Sequence, residues 1–263
     1  MSEACYIHGT AADEQRRLAK LNEITNPAFL AFLNLRDGER VLEVGSGLGL
    51  LAAEVARAVP SGEVVGVERS PEQLQQCPRD VPNLRFVEAD AVALPTAELG
   101  EFDLVYCRYL LEHVAEPTTV LREMRRVLRP GGRICVQEND IALVRNDPPT
   151  PTFDRVWQAF AARQQRLGGD PFVGRRLLRL LSEAGFTQIE LSVAPEVHHF
   201  GTRFYSAWLQ NLIDNVCGAV ERLMADGATD AAEVNEAMDE LRRLMMNPVG
   251  ATTFYWDRAM AKR

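Results

Sequence analysis

The fold is decided by residues 41–49, Val41-Leu42-Glu43-Val44-Gly45-Ser46-Gly47-Leu48-Gly49. The first four residues are apolar apart from Glu43, as in a buried strand, and three glycines follow at every second position. Apolar residues then recur at helical spacing over residues 50–59. The stretch therefore predicts a strand, a tight glycine loop and a helix, the unit at which ligands bind in doubly wound sheets.

The same alternation of strand and helix patterns continues along the chain. Short apolar strand patterns recur at residues 64–67, 84–88, 102–107 and 132–138. Strands that alternate with helices form a parallel sheet covered on both faces, and right-handed crossovers make it doubly wound. Residues 187–199 and 251–263 supply two longer strand patterns. We therefore predict an α/β fold with a Rossmann-like, seven-stranded sheet, mostly parallel with the last strand antiparallel.

The chain divides into three predicted regions. Residues 1–36 form an N-terminal helical segment or lid, with a break expected at Pro27, and residues 37–140 form the core that carries the glycine loop. The remainder of the core, with the last two strands, lies in 141–263. Helical patterns interrupt this last region and predict cap insertions at about 150–184 and 203–246. The triplet Asp147-Pro148-Pro149 is interpreted as a linker.

The composition narrows the classes of partner. The 29 lysines and arginines stand against 37 acidic residues, so the net charge is −8. This balance opposes nucleic-acid binding, which depends on neutralising phosphates. The five cysteines have no metal-ligand spacing, so we expect no metal and a reducing compartment. No run resembles an export signal or a membrane span. We expect a cytoplasmic monomer or homodimer that binds a small molecule and no membrane.

The spacing of the glycines separates two kinds of cofactor loop. A dinucleotide fingerprint is GxGxxG, but its third glycine would fall on Leu50, whereas Gly49 makes the pattern GxGxG. Glu68 ends the next strand, where a carboxylate can accept hydrogen bonds from both ribose hydroxyls of a bound nucleoside. Because Glu68 alone suits NAD equally well, an NAD-dependent oxidoreductase remains an alternative, which Leu50 disfavours.

Four further segments accompany the glycine loop. They are Glu68, Glu88-Ala89-Asp90-Ala91, Phe102-Asp103-Leu104-Val105 and Leu128-Arg129-Pro130-Gly131-Gly132. Together with the loop, they resemble the class I S-adenosylmethionine-dependent methyltransferases, of the small-molecule, UbiE-like methyltransferase-domain kind, over most of the chain. The resemblance implies S-adenosylmethionine as the cofactor and S-adenosylhomocysteine as its product.

The resemblance also implies which residues hold this cofactor. Glu68 would bind the ribose, and Asp90 with the Ala91 amide would bind the adenine. Arg108 and the Cys107 backbone would bind the methionine end. The expected cofactor-binding residues are Glu43, Gly45, Ser46, Gly47, Gly49, Glu68, Arg69, Asp90, Ala91, Cys107 and Arg108.

His113 is the predicted general base, because its segment follows the strand that faces the transferable methyl group and imidazole titrates near neutral pH. This segment is similar to that of phosphoethanolamine methyltransferases, in which a tyrosine from a leading helix pairs with the histidine, and Tyr6 would be that tyrosine. His8, His198 and His199 are secondary candidates. Methyl transfer from a sulfonium needs no acid for its leaving group, so it leaves no obligatory catalytic signature in the sequence.

Aromatic residues cluster in the predicted cap and could cover an organic substrate. They are Phe153, Trp157, Phe160, Phe204, Tyr205 and Trp208. The predicted function is therefore methyl transfer to an oxygen, nitrogen or carbon nucleophile of a small organic molecule, with a metabolite as the substrate. A non-catalytic S-adenosylmethionine-binding protein remains a further alternative. This fold needs no catalytic motif, so the sequence does not distinguish an enzyme from a binding protein.

Overall fold

The computed structural model describes residues 12–263. Tyr6, His8 and the rest of residues 1–11 lie outside the described residues. In the described part, five parallel strands are β1 (Arg40–Val44), β2 (Glu63–Glu68), β3 (Leu84–Glu88), β4 (Phe102–Arg108) and β5 (Leu128–Glu138). Three antiparallel strands are β6 (Arg145–Asp147), β7 (Thr187–His199) and β8 (Ala251–Lys262).

The sheet order is β3-β2-β1-β4-β5-β8-β6, and β7 pairs with β8. The chain reverses its direction of winding between β1 and β4, so the carboxyl ends of these two strands open onto a shared crevice. The α/β fold and the mostly parallel, Rossmann-like sheet are confirmed. The described chain has eight strands rather than the predicted seven, because the short β6 pairs with the start of β8.

Helices cover both faces of the sheet and extend beyond its edge. The longer helices are α1 (Ala12–Leu33), α2 (Leu50–Ala58), α5 (Pro117–Val127), α6 (Pro151–Arg166), α8 (Tyr205–Ala225) and α9 (Ala231–Met245). The short helices are α3 (Pro71–Leu74), α4 (Thr96–Leu99) and α7 (Leu177–Glu183), with 3₁₀ turns at Leu111–His113, Ile141–Leu143 and Val173–Arg176.

The break expected at Pro27 is wrong, because α1 continues through it to Leu33. Phe29 and Leu33 lie beyond the proline and are fully buried in the core between α2 and the sheet. Leu21, one and a half turns before the proline, packs instead among α6, α8 and α9. Packing on both sides of Pro27 thus holds the helix together where one backbone hydrogen bond is missing.

Alternate residues of each strand enter two hydrophobic cores, one on each face of the sheet. In β1, Leu42 and Val44 join the core that includes α5, whereas Val41 joins the core that includes α1 and α2. A third cluster contains α6, α8 and α9 with residues of β8. The helix α7, within the predicted 150–184 insertion, belongs to the first core and packs against α5 and β7. Only α6, α8 and α9 therefore extend away from the sheet.

Candidate functional site

The glycine loop is shaped by backbone conformations that favour glycine. Gly45, Gly47 and Gly49 have φ angles of 75°, 54° and 68°. The amides of Gly45 and Ser46 both donate to the Val67 carbonyl at the end of β2, at 2.8 and 2.9 Å. A Cβ on Gly49 would lie 2.4 Å from the Phe86 ring. The loop is thus fixed between β1 and β2 with its backbone open to the crevice.

The Glu68 carboxylate closes the other side of this loop. It accepts from the amide of Gly47 at 3.0 Å and from the amides of Arg69 and Ser70, both at 2.9 Å. A carboxylate has about four lone-pair sites. One of these sites therefore remains for a further donor such as a ribose hydroxyl, and the three amides hold the carboxylate in place for it.

Glu43 is a buried acid directly beneath the loop. Burial raises its pKa to about 8, against the opposing influence of the Arg108 guanidinium. Its Oε2 atom is buried and has no hydrogen-bond partner among the described residues. A carboxyl group in this state is protonated at neutral pH and can donate as well as accept. Glu43 therefore offers a polar group that a ligand in the crevice would satisfy.

Asp90 and Ala91 follow the end of β3, and Ala91 packs against the core that includes α5. The Asp90 Oδ1 atom accepts from the Val92 amide at 3.1 Å, and the side chain is exposed. This bond orients one carboxylate oxygen and leaves the other to accept from a ligand amine. The position matches the one expected for contact with an adenine amino group.

A single cavity of about 700 Å³ brings most of the predicted residues together. The predicted residues that line it are Glu43, Gly45, Ser46, Gly47, Glu68, Arg69, Asp90, Ala91, Arg108 and His113. Two predicted cofactor residues do not line it. Gly49 lies beneath the loop as the N-terminal cap of α2, and Cys107 is fully buried in the sheet. The crevice thus brings together the glycine loop, the strand-end acids and a buried carboxyl group, which are the groups predicted to hold S-adenosylmethionine.

Arg108 points from the end of β4 into α1. Its guanidinium donates to Asn22, to Thr25 Oγ1 at 3.1 Å and to Asn26 Oδ1 at 2.7 Å. It also lies 5.2 Å from the centre of the Phe29 ring. The residue predicted to bind the methionine end of the cofactor therefore also fastens α1 across the mouth of the crevice.

His113 lies in the 3₁₀ turn after β4, beside a buried acid. Its Nε2 atom is 3.8 Å from Glu112 Oε1. The Glu112 carboxylate accepts from Asn139 Nδ2 at 2.5 Å and from Gln164 Nε2 at 3.1 Å. A carboxylate at this distance stabilises the imidazolium that forms when a histidine accepts a proton. The sequence pattern did not indicate this arrangement, because its members lie on three separated segments.

Glu138, at the end of β5, fixes the same turn from below. Its Oε1 atom accepts from the amides of Leu110 and Leu111 at 3.0 and 2.9 Å. Burial, and after it the neighbouring Glu112, raise its pKa to about 8. Leu110 in turn packs over Gly45 in the glycine loop. The turn that carries His113 is therefore held between β5 and the cofactor loop.

Aromatic side chains surround the part of the cavity beyond α1. Of the six aromatic residues predicted to cover a substrate, Trp157, Phe160 and Trp208 line it. Tyr109, Phe254 and Trp256 also line it, and the last two come from β8. The sequence did not predict that Phe254 and Trp256 line the cavity, because the alternation of β8 indicates only that one face is buried.

Two of the secondary histidine candidates, His198 and His199, lie outside the cavity lining, and His8 falls outside the described residues. His198 is buried, with its Nε2 atom 3.0 Å from Glu196 Oε2 and its ring 5.6 Å from Trp208. His199 is exposed and lies 2.9 Å from the Phe200 carbonyl. His113 is the histidine that the structure places in the cavity.

Comparison with known proteins identifies the family. The sequence model of a methyltransferase domain matches residues 42–136. Over 188 residues the chain is 32% identical to trans-aconitate 2-methyltransferase of Methylobacterium radiotolerans, covering 70% of this chain and 69% of that protein. The chain belongs to the class I S-adenosylmethionine-dependent methyltransferases. Its cofactor is S-adenosylmethionine.

A second relative is uncharacterised. This methyltransferase is 36% identical over 187 residues to a 37.1 kDa protein of transposon TN4556 from Streptomyces fradiae. The match covers 70% of this chain and 52% of that protein, so it spans about half of the relative's length. Among residues 12–263, no helix is both long and apolar enough to cross a membrane.

Solved structures share the fold. A phosphoethanolamine N-methyltransferase of Haemonchus contortus, solved with phosphomonomethylethanolamine and S-adenosylhomocysteine, superimposes with a TM-score of 0.56. The superposition covers 91% of this methyltransferase and 52% of that chain, at 17% identity. At this identity the likeness supports the fold, and the choice of substrate follows from this chain's own residues.

Proposed function

We propose that this methyltransferase transfers a methyl group by in-line displacement to an oxygen, nitrogen or carbon nucleophile of a small organic molecule. The observation that carries the proposal is the single cavity, which joins the glycine loop and strand-end acids to a region with aromatic walls. The helices α6, α8 and α9 would form the substrate cap, since Trp157, Phe160 and Trp208 project from α6 and α8 into the cavity.

Residues of four strands and their carboxyl ends would hold the cofactor. Glu68 has both oxygens oriented by loop amides and would accept from a ribose hydroxyl, and Asp90 would accept from the adenine amine. Arg108 would pair with the cofactor carboxylate while it keeps its contacts with α1. Glu43 would supply a hydrogen bond from its buried carboxyl group.

For this reaction the protein needs to position the two reactants and to supply one proton acceptor. When bound, S-adenosylmethionine supplies an electrophilic methyl group whose transfer leaves a neutral thioether. His113 would take the proton of a hydroxyl or ammonium nucleophile, and Glu112 would stabilise the resulting imidazolium. The cap would exclude water and hold the nucleophile at attack distance. The second member of the predicted catalytic pair, Tyr6, stays a prediction.

Calorimetric titration of the purified protein with S-adenosylmethionine, S-adenosylhomocysteine and NADH tests the cofactor site. We expect the first two ligands to bind and NADH not to bind. Asp90→Ala and Glu68→Ala should each weaken binding by about 10-fold to 100-fold, since a hydrogen bond to a charged group is worth about 1.5–3 kcal/mol. Binding that neither substitution changes would contradict the proposed site.

Transfer of a tritiated methyl group to members of a metabolite library tests the reaction. With an accepted substrate, His113→Ala should lower kcat by about 10²-fold to 10⁴-fold, the usual contribution of a general base. Cofactor affinity should be unchanged, because His113 is placed at the acceptor and not at the cofactor. His199→Ala, at an exposed position outside the cavity, is the matched control. Unchanged turnover in His113→Ala would refute the proposed base.

A further inference from the structure

Six aromatic side chains line one part of the cavity, together with aliphatic side chains such as Leu21, Ile141 and Leu212. We call this part the aromatic chamber, and it consists of Tyr109, Trp157, Phe160, Trp208, Phe254 and Trp256. These residues come from the β4 turn, α6, α8 and β8, so the ring cluster is assembled by the tertiary fold. The whole cavity, at about 700 Å³, is within the range of sites that enclose small molecules.

The rings of the chamber are held in fixed orientations. Trp157 and Phe160 are nearly parallel, with centres 5.2 Å apart and 6° between their planes. The indole of Trp157 donates to the Ile141 carbonyl at 2.8 Å, and that of Trp256 donates to Glu196 Oε1 at 3.2 Å. Rings fixed before binding offer flat faces at low entropic cost, which favours a ligand that is itself flat.

A second pair of rings, Tyr109 and Trp256, also lines the chamber. Tyr109 and Trp256 have centres 4.5 Å apart, and Phe254 meets Trp256 edge to face at 4.6 Å and 73°. The Tyr109 hydroxyl accepts from Gln137 Nε2 at 2.7 Å, so its ring cannot turn away from the chamber without losing this bond. Edge-to-face and offset ring contacts are the arrangements that a bound aromatic ring can extend.

The charges around the chamber decide against a cationic ligand, although aromatic walls alone would suit one. Arg17 and Arg108 line the cavity, and the Arg108 guanidinium lies 5.1 Å from the Tyr109 ring centre. Glu112, an acid that lines the cavity, already accepts from Asn139 and Gln164. Since Arg108 would pair with the cofactor carboxylate, the Arg17 guanidinium is the charge that repels an ammonium ligand and stabilises an oxygen that becomes negative.

We propose that the acceptor is a planar aromatic molecule with a hydroxyl group on its ring system. This inference rests on the proposed function and names its substrate class. The hydroxyl oxygen forms the new bond to the methyl carbon, and the electron pair of the broken carbon–sulfur bond stays with sulfur. The hydroxyl proton passes to the imidazole of His113. The product is an aryl methyl ether, which is neutral and has lost its hydrogen-bond donor.

Three probes test the inference by calorimetry in saturating S-adenosylhomocysteine. 2-Naphthol is flat and hydroxylated, trans-decahydro-2-naphthol has the same carbon skeleton and hydroxyl group without the flat rings, and benzyltrimethylammonium is an aromatic cation. We expect 2-naphthol to bind at least tenfold more tightly than either of the other two. Equal binding of the two alcohols would show a merely apolar cavity and overturn the inference, as would tighter binding of the cation or binding of no probe.

Variants of the chamber localise the binding. Phe254→Leu and Trp157→Leu should each weaken 2-naphthol at least fivefold, whereas Phe200→Leu, at a ring that is 43% exposed and outside the cavity, should not. Retained S-adenosylhomocysteine binding shows that each variant is folded. If the wild-type protein binds no S-adenosylhomocysteine, the proposed function fails as well. If it binds and 2-naphthol is not preferred, only the substrate class fails.

Discussion

Two glycines with similar backbone angles differ in how closely their surroundings approach. Gly49 has a φ of 68° and Gly131 a φ of 78°, so alanine is strained at both. A Cβ at Gly49 would lie 2.4 Å from Phe86, whereas one at Gly131 would meet nothing within 4 Å. We therefore expect Gly49→Ala to lower the free energy of unfolding by about 2–4 kcal/mol and Gly131→Ala by about 1 kcal/mol.

Urea denaturation of both variants measures this difference. Because the φ strain is common to both, the excess loss in Gly49→Ala reports the contacts with Phe86 and, at 3.2 Å, with Cys77 Sγ. Equal losses would mean that the Phe86 ring moves aside without cost, and that the glycine loop is less tightly fixed against β3 than the structure indicates.

Glu138 makes the stability depend on pH. Its pKa is about 8 in the folded protein, against 4.5 for an ordinary glutamate, because it is buried beside Glu112. Between these values the folded state keeps a proton that the unfolded state has released, so this stabilisation is complete below pH 4.5 and is lost as the pH rises through 8. Glu138→Gln mimics the protonated form. The variant should match the wild type near pH 5 and exceed its free energy of unfolding by more than about 1 kcal/mol at pH 8.

Denaturant unfolding at pH 5 and pH 8 checks this expectation. Glu43, whose pKa is also raised to about 8, is present in both proteins, so the comparison isolates Glu138. Glu221→Gln, at an exposed position on α8, should leave the pH profile unchanged. Parallel profiles of Glu138→Gln and the wild type would show that Glu138 is ionised when buried.

At this scale the sequence was informative only for residues near the strand ends. Glu68 was predicted from its place at a strand end, because the carboxyl ends of parallel strands meet at one edge of the sheet, and Asp90 from the family resemblance. The partners of Glu112 could not, since Asn139 and Gln164 approach it only after β5 and α6 have packed. Phe254 and Trp256 were not predicted to line the cavity, because the alternation of β8 indicates burial but not whether a ring faces a core or a cavity.

At the scale of elements, the Arg108 side chain at the end of β4 joins three residues of α1 to the sheet. Arg108 donates to Asn22, Thr25 and Asn26 on successive turns of the helix. Lysine cannot form these three hydrogen bonds together, because its ammonium is a compact charge without the planar, multiply donating geometry of a guanidinium. We expect Arg108→Lys to increase the rate of amide hydrogen exchange in residues 18–26 by about 10-fold or more, while the strands keep their protection.

Hydrogen exchange followed by mass spectrometry resolves the two regions. Arg155→Lys is the matched control, since Arg155 is exposed on α6 and pairs only with its neighbours there and with Glu233 of α9. Unchanged exchange in α1 would show that its other contacts, including the buried Phe29 and Leu33, dock the helix without the Arg108 bonds.

The order of elements followed from the periodicity of the sequence, and their tertiary partners did not. Alternating strand and helix patterns gave the parallel sheet, because each strand is buried on both faces and each helix on one. Proline at position 27 indicated a break that the packing of Phe29 and Leu33 overrides. The helical pattern of α7 looked the same as that of α6, yet α7 covers the sheet and α6 extends past it.

At the scale of the whole molecule, the cavity joins parts of the chain that are otherwise separate. Residues from α1, the glycine loop, the β4 turn, α6, α8 and β8 all line it. A ligand that contacts several of these elements binds only the folded state of the chain. It therefore stabilises that state by mass action. At 100 times its dissociation constant, such a ligand adds about 2.7 kcal/mol to the free energy of unfolding.

We therefore expect saturating S-adenosylhomocysteine to raise the Tm by about 5–10 °C, since each kcal/mol is worth about 2–4 °C in a protein of this size. NADH at the same concentration should leave the Tm unchanged, because Leu50 replaces the third glycine of a dinucleotide loop. Asp90→Ala should reduce the shift produced by S-adenosylhomocysteine without lowering the Tm of the free protein, since the Asp90 side chain is exposed. Differential scanning calorimetry separates the two effects: a shift that persists in Asp90→Ala would place the adenine elsewhere in the cavity, and a shift with NADH would reopen the oxidoreductase alternative.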